Sequence, residues 1–316
     1  KETKLTPRMA QTAKGLWLVY LALAIACTLG YVWAGMGWRD AFIHMFTTLG
    51  LGGFSSHDAS YAYFNSPYVE LVAIVFMTLA GMNFATHMMV IRRGTLRFYW
   101  ADPEIRWYVS VMYTSVLGIA AYLWLAGTYP DFVTALRFAA FNVVSIATTT
   151  GYANTDYAQW PFFAPLWMLF LCSFVTCAGS TGGGIKMMRA IIVFRQVMRE
   201  IIRTVHPNAV RAVKLSGAPL PNKIIFAVLA FCFAYMVIIV SLTLLMVFSG
   251  LDVVTGFSAV VACFNNTGPG LGEVGPATTF KSLTDFQTWV CSIAMLLGRL
   301  EIFTLLVVFS PSFWKK

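Results

Sequence analysis

MFTTLGLGGFSS at 45–56, SIATTTGYANTD at 145–156 and ACFNNTGPGLGE at 262–273 are three versions of one pattern. They superpose on Gly53, Gly151 and Gly268. Each carries small, polar or backbone-permissive residues just before that glycine: Gly50 and Gly52, Thr148 to Thr150, and Asn265 to Thr267. Each follows a weak apolar segment, 39–50, 132–147 or 253–265, interrupted by Arg39, His44, Arg137, Asn142 or Asn265. These segments are shorter or more polar than the roughly 20 apolar residues that cross a hydrocarbon core.

Working outward, six stronger apolar segments flank them, at about 15–36, 68–91, 107–127, 161–182, 223–249 and 287–310. The order is strong helix, short helix, Gly-rich loop, strong helix, three times over, with units at about 15–93, 105–200 and 222–312. A fixed internal repeat decides architecture before local detail does. Composition agrees. Hydrophobic residues make up 59% of the chain and charged residues 11%, against about 25% charged in a soluble domain. Mean hydropathy is +0.72, so the apolar excess is global. The first 14 residues are polar and the first apolar run is too long for a signal-peptide core.

The net charge of +9 does not point to nucleic acid. Lysines and arginines gather at Lys1 to Lys14, Arg92 to Arg106, Lys186 to Lys223 and Lys315–Lys316, while the alternate connections hold Arg39, Arg137 and Lys281 among aspartates and glutamates. Positive charge collects on the cytoplasmic side of membrane helices. Both termini and the 186–222 connection are therefore expected in the cytoplasm, with the three weak segments outside. Cys27, Cys172, Cys177, Cys232, Cys263 and Cys291 all lie in apolar runs and form no metal-type pair.

Irregular backbone at membrane depth is tolerated where it is buried in protein or lines a water-filled path. Three such loops entering from one side point to a shared pore. An ion that sheds water needs oxygen ligands, which backbone carbonyls supply. A short helix also turns its carbonyl end toward the loop that follows, favouring a cation there. No acid occupies the aligned positions, which favours a monovalent cation over a divalent one. Any single loop also reads as an ordinary interfacial turn; it is the threefold repetition that argues otherwise.

These loops, together with CAGSTGGGIKMMR at 177–189 and GRLEIFTLLVVFSP at 298–311, resemble the Trk/Ktr/HKT superfamily of potassium transporters, and most of all its TrkH-type membrane subunits. The resemblance covers essentially the whole chain. It implies an all-α polytopic fold of parallel helix–pore loop–helix repeats around a pseudo-four-fold pore. It implies a potassium filter formed by Leu51, Gly52, Gly53, Thr149, Thr150, Gly151, Asn266, Thr267 and Gly268. It further implies a homodimer in a bacterial inner membrane, regulated by a cytosolic nucleotide-binding ring of the TrkA type. No phosphate-cradling motif occurs in this chain, so no nucleotide site is expected on it. The family pore has four units. The three here resemble the second, third and fourth, at 1–104, 105–221 and 222–316, and the first repeat is expected upstream.

Gly179, Ser180, Thr181, Gly182, Gly183 and Gly184 interrupt the fourth strong segment before Lys186. Glycine in a helix interior costs about 1 kcal/mol against alanine, so this run should break the helix. Small residues also permit a close helix crossing. In the resembled family the position is an intramembrane gating loop. Arg299 is the one cation deep in a strong segment, and such charges face a cavity or a partner. Glu301, two residues on, points to another helix face. A structural ion pair is one reading of Arg299; the resemblance implies an arginine near the pore axis. From Ile185 to His206, basic residues alternate with apolar ones as in an amphipathic helix that meets anionic membrane lipid or a protein partner.

A hydrolase needs a nucleophile–base pair or a metal set. The four histidines are scattered, no HExxH or GxSxG occurs, and Ser180 has no suitably placed partner in the sequence. The sequence is therefore not read as an enzyme. The alternative to a channel-like pore is an ion-coupled cation symporter, which would use intramembrane carboxylates or inverted repeats.

Overall fold

The computed structural model describes residues 9–209, 211–215, 217–300 and 302–314. The chain begins with α1 (Met9–Trp33), which ends before Gly35 at φ +101°, and α2 (Trp38–Leu49) follows it. Next come α3 (Pro67–Ala80), α4 (Phe84–Arg93), α5 (Arg97–Ala101), α6 (Pro103–Leu125) and α7 (Phe132–Ala147). Then come α8 (Phe163–Cys172) and α9 (Met187–Val205). A two-stranded antiparallel ribbon, β1 (Lys214–Leu215) and β2 (Ala218–Pro219), leads into α10 (Asn222–Phe248). The chain closes with α11 (Val253–Phe264), α12 (Asp285–Arg299), α13 (Ile302–Phe309) and α14 (Pro311–Trp314).

Among the described residues, three helices are long and apolar enough to cross a membrane: Ala13–Trp33, Pro103–Leu125 and Asn222–Phe248. A fourth span results if α3 and α4, bent by 97°, are taken together. Their outer faces carry bare apolar side chains; Phe233 is 73% exposed and Phe248 88%. Apolar area of this kind needs lipid or protein against it. The molecule is a largely helical, multi-pass membrane protein.

Three of the six expected spans depart from simple helices. Segment 68–91 breaks at 81–83. There α6 crosses so closely that a Cβ on Gly81 would lie 2.4 Å from the Tyr108 hydroxyl. Asn83 then caps α4, accepting from the Ala85 amide at 2.8 Å. Segment 161–182 is helical only to Cys172, so the break begins well before the glycine run. From Ser173 the chain folds back on itself: the Thr176 hydroxyl donates to the Gly183 carbonyl at 2.7 Å, and the Ile185 amide to the Ser173 carbonyl at 2.6 Å. In segment 287–310, α12 ends at Arg299 and α13 starts at Ile302; Glu301, expected on another face, lies outside the described residues.

The short helices α7 and α11 are largely buried and the apolar core is built around them, while α2 keeps Trp38, Phe42 and Phe46 exposed on one face. Ala139, Phe141, Val143 and Val144 of α7 and Ala259 and Val260 of α11 are fully buried. Asp131 and Asp252 cap the starts of α7 and α11, each accepting a backbone amide in the first turn. Asp40 occupies the first turn of α2. An acid there complements the positive end of the helix dipole.

Candidate functional site

The three short helices end in one geometry. In the first loop the Leu51 amide bonds the Thr48 carbonyl and the Gly52 amide reaches back to the Thr47 carbonyl at 2.8 Å. In the second, Thr149 bonds Ile146 and Thr150 bonds Ser145 at 2.8 Å. In the third, Asn266 bonds Cys263 and Thr267 bonds Ala262 at 2.8 Å. This paired pattern is a Schellman cap, which normally places glycine at its left-handed position. Here that position is held by Leu51 (φ +50°), Thr149 (φ +61°) and Asn266 (φ +55°). A left-handed residue with a Cβ costs roughly 1–2 kcal/mol. Such strain clusters where backbone geometry serves a function.

Two residues later the backbone again has positive φ, at Gly53 (+68°), Gly151 (+91°) and Gly268 (+105°). Here glycine is required by its neighbours as well as by torsion. A Cβ on Gly53 would lie 2.0 Å from the Thr150 carbonyl oxygen, and one on Gly151 would lie 2.0 Å from that of Thr267. The first loop thus abuts the second and the second abuts the third, main chain to main chain. At Gly268 no described atom lies within 4 Å of that position.

The sequence-predicted filter residues therefore come together in one layer. Leu51, Gly52, Asn266, Thr267 and Gly268 line a cavity of about 590 Å³ that also contains Arg299. Thr149 and Thr150 are buried, with the Thr150 carbonyl against Gly53. Further bonds brace the layer: the Tyr235 hydroxyl donates to Asn265 Oδ1 at 2.9 Å, and the Tyr61 backbone amide to the Ala153 carbonyl at 3.0 Å.

The segment 173–186 lies directly against this layer. The Gly183 amide donates to Thr149 Oγ1 at 2.8 Å, and a Cβ on Gly183 would lie 2.0 Å from the Asn265 carbonyl oxygen. The Thr181 hydroxyl donates to the Leu49 carbonyl at 2.8 Å. The Lys186 ammonium donates to the Gly182 carbonyl. Arg299 Nη1 reaches the Thr181 carbonyl at 3.4 Å. A second cavity, of about 410 Å³, is lined by Ser180 to Gly184, Lys186 and Arg299. Arg299 thus borders both cavities. Gly179 stands apart; its carbonyl accepts from the Phe84 amide, at the α3–α4 break.

Sequence reasoning missed Glu104. It is almost fully buried at the start of α6, and its Oε1 accepts from the Ala178 amide at 2.6 Å and the Met188 amide at 3.1 Å. One carboxylate oxygen therefore ties down both ends of segment 178–188. The signal in the sequence was faint: a glutamate two residues after Asp102, in what reads as an ordinary acidic first turn.

At the starts of the short helices, three aspartates are held below the usual carboxylate range. For Asp40 the main cause is the Ser56 hydroxyl donating at 2.8 Å, with His57 adding to it. For Asp131 it is the Thr134 amide, and for Asp252 the side chain and amide of Thr255. Among the described residues, no group of three or more metal-ligating side chains is present.

Irregular loops that meet main chain to main chain, between helices with bare apolar faces, define a multi-pass membrane protein, not a bundle of simple anchors. The chain belongs to the TrkH cation transport protein family, whose profile matches residues 1–316; it is a transport family and not an enzyme family. The Trk system potassium uptake protein TrkH of Salmonella typhimurium is 43% identical over 316 residues, covering all of this chain and 65% of that protein. The protein of the same name from Escherichia coli K12 is 42% identical over the same length. The crystal structure of the potassium transporter TrkH from Vibrio parahaemolyticus superposes with a TM-score of 0.93 at 42% identity, over 98% of this chain and 66% of that one. The chain thus spans about 65% of the length of the curated relatives it matches.

Proposed function

We propose that this chain carries potassium across a cytoplasmic membrane through a gated, channel-like pore. In this reading the carbonyls around Leu51, Gly52, Gly53, Thr149, Thr150, Gly151, Asn266, Thr267 and Gly268 replace the ion's water shell. The observation that carries it is the repeated strained cap, left-handed at Leu51, Thr149 and Asn266 and again positive in φ at Gly53, Gly151 and Gly268. The three units, 1–104, 105–221 and 222–316, make three quarters of a pseudo-four-fold ring. A fourth loop seated beside Gly268 completes it. Potassium is the cargo; relatives named as potassium uptake proteins support that choice.

In the same reading Gly179, Ser180, Thr181, Gly182, Gly183, Gly184 and Lys186 form the gate, and Arg299 opposes cation occupancy beside it. Support comes from the Gly183–Thr149 and Arg299–Thr181 contacts, which set gate and arginine against the loop layer. A homodimer, with a cytosolic nucleotide-binding ring on the cytoplasmic face, is the proposed assembly. Both termini of the segment are proposed to be cytoplasmic.

The test is flux through the intact transporter in proteoliposomes, with potassium, rubidium, sodium and lithium in turn. Uncoupled flux down the gradient, with potassium and rubidium preferred, is expected. Flux that requires a sodium or proton gradient would move the reading to a coupled symporter.

A further inference from the structure

Helix α9 changes character along a single stripe. Its residues Met187, Ile191, Arg195 and Arg199 recur every fourth position, which places them on one helix face. At the Met187 end this face borders an apolar groove of about 600 Å³, walled by Trp107 of α6, Phe170 of α8, Phe194 of α9 itself and Met236 of α10. At the Arg199 end it borders a cavity of about 470 Å³ lined by Arg195, Arg199, Arg211 and Lys214. Arg195 lines both, so groove and cavity adjoin at this side chain.

The basic end is poorly neutralised. Between Met187 and Asn222 the only acid is Glu200, and it is shared by Arg199 and Arg203, each at 3.4 Å. Arg211, just before the ribbon, and Lys214 of β1 line the same cavity, and the Lys214 carbonyl accepts from Arg195. The returning chain therefore adds two further cations at the same spot. An apolar trough that adjoins four cations is complementary to one kind of molecule: an apolar chain carrying a negatively charged head. Basic pockets between membrane helices take such heads, and fixed cations attract them.

We propose that this groove is a binding site for an anionic phospholipid. An acyl chain lies against Trp107, Phe170 and Phe194, and the phosphate is held by Arg195, Arg199, Arg211 and Lys214. The site also touches the segment proposed as the gate. Phe174 and Ile185, near the two ends of 173–186, both line the apolar part. Occupancy therefore packs against the ends of a segment that the Glu104 carboxylate also holds, through the Ala178 and Met188 amides.

The proposal is a statement about binding, so its failure is distinguishable from failure of the transport reading. The experiment is native mass spectrometry of the intact protein, delipidated in detergent and then given phosphatidylglycerol or phosphatidylcholine. The expected result is one tightly retained phosphatidylglycerol per protein. R195Q/R211Q should lower that preference roughly 30-fold, the effect of removing two cations from an anionic surface. Ala190→Trp, which fills the apolar part, should reduce retention of both lipids. Lys214→Gln, a single change in the ribbon, gives a milder loss in the same direction and guards against misfolding of the double variant. An unchanged phosphatidylglycerol preference in R195Q/R211Q and Lys214→Gln would overturn the proposal. So would a variant that keeps its lipid but loses a cytosolic protein partner, which would make the basic end a protein-docking surface instead.

Discussion

The backbone amide of Gly183 donates to the side-chain oxygen of Thr149 at 2.8 Å, joining the proposed gate to the most buried of the three loops. Removing the acceptor while keeping the shape isolates that bond. Thr149→Val should weaken the closed arrangement by about 1 kcal/mol, the net worth of one such hydrogen bond. Basal rubidium uptake into proteoliposomes should rise about fivefold, and Thr149→Ser should stay near the parent. Equal uptake in all three would show that the bond does not hold the gate.

Gly151 and Gly268 separate steric from torsional need. An alanine at 151 would collide with the Thr267 carbonyl, whereas at 268 no described atom is within 4 Å. Within the present chain Gly268→Ala costs only the left-handed penalty, roughly 1–2 kcal/mol. In the intact transporter a fourth loop beside Gly268 would make the two variants equally damaging. Competition of sodium against rubidium uptake measures this, and a mild Gly268→Ala phenotype beside a severe Gly151→Ala one would argue against a four-loop ring.

Glu104 anchors two amides with one oxygen. Glu104→Ala leaves both without their partner, and an unsatisfied buried group costs about 1–3 kcal/mol. Lower thermal stability and higher basal flux are expected together. Glu104→Gln retains a carbonyl acceptor and should recover most of both. Lost stability without altered flux would confine Glu104 to a structural role.

Arg137 of α7 grips Glu70 of α3 through Nε at 2.8 Å and Nη2 at 2.7 Å. Glu70 is only 3% exposed. Removing the arginine strands a buried carboxylate, at a cost of about 3–5 kcal/mol. Arg137→Ala should therefore destabilise more than the double variant with Glu70→Gln. A denaturation-based double-mutant cycle reads the difference, and additive effects would refute the coupling.

Acid should loosen the starts of the short helices. Asp40, Asp131 and Asp252 have lowered pKa values, so their stabilisation is complete above the free carboxylate value of about 3.9 and disappears as pH falls through the lower folded values. Asp252→Asn should lower the melting temperature at pH 7, and the gap from the parent should close as the pH falls through the lowered folded value of Asp252. A gap that persists at low pH would mean that the charge is not what matters.

Much of the layout was readable because composition dictates it. Gly- and Thr-rich loops after short apolar helices leave few places to put irregular backbone, and Gly53, Gly151 and Gly268 marked the common register. The left-handed turns at Leu51, Thr149 and Asn266 were not readable. Leucine and threonine disfavour that conformation, and the Schellman hydrogen bonds impose it regardless of side chain. The break at 81–83 was hidden by its apolar flanks, although Gly81 and Asn83 carried its signal. The early end of α8 at Cys172 was not readable because SFVTCA, 173–178, has a helix-compatible composition. What unwinds it is the pull of Glu104 and the Gly81 carbonyl, which accepts from the Cys177 amide at 3.0 Å, and both lie far away in sequence.

The contact of Gly53 with Thr150, and of Gly151 with Thr267, means that successive loops rest on one another through atoms every residue possesses. Spacing between them is gauged by peptide units and not by side-chain rotamers. That leaves leucine, threonine and asparagine free to stand at the same station in three loops without changing the calibre between them. It also makes the assembly unforgiving: displacement of one peptide has no flexible side chain to absorb it and passes whole to the next loop.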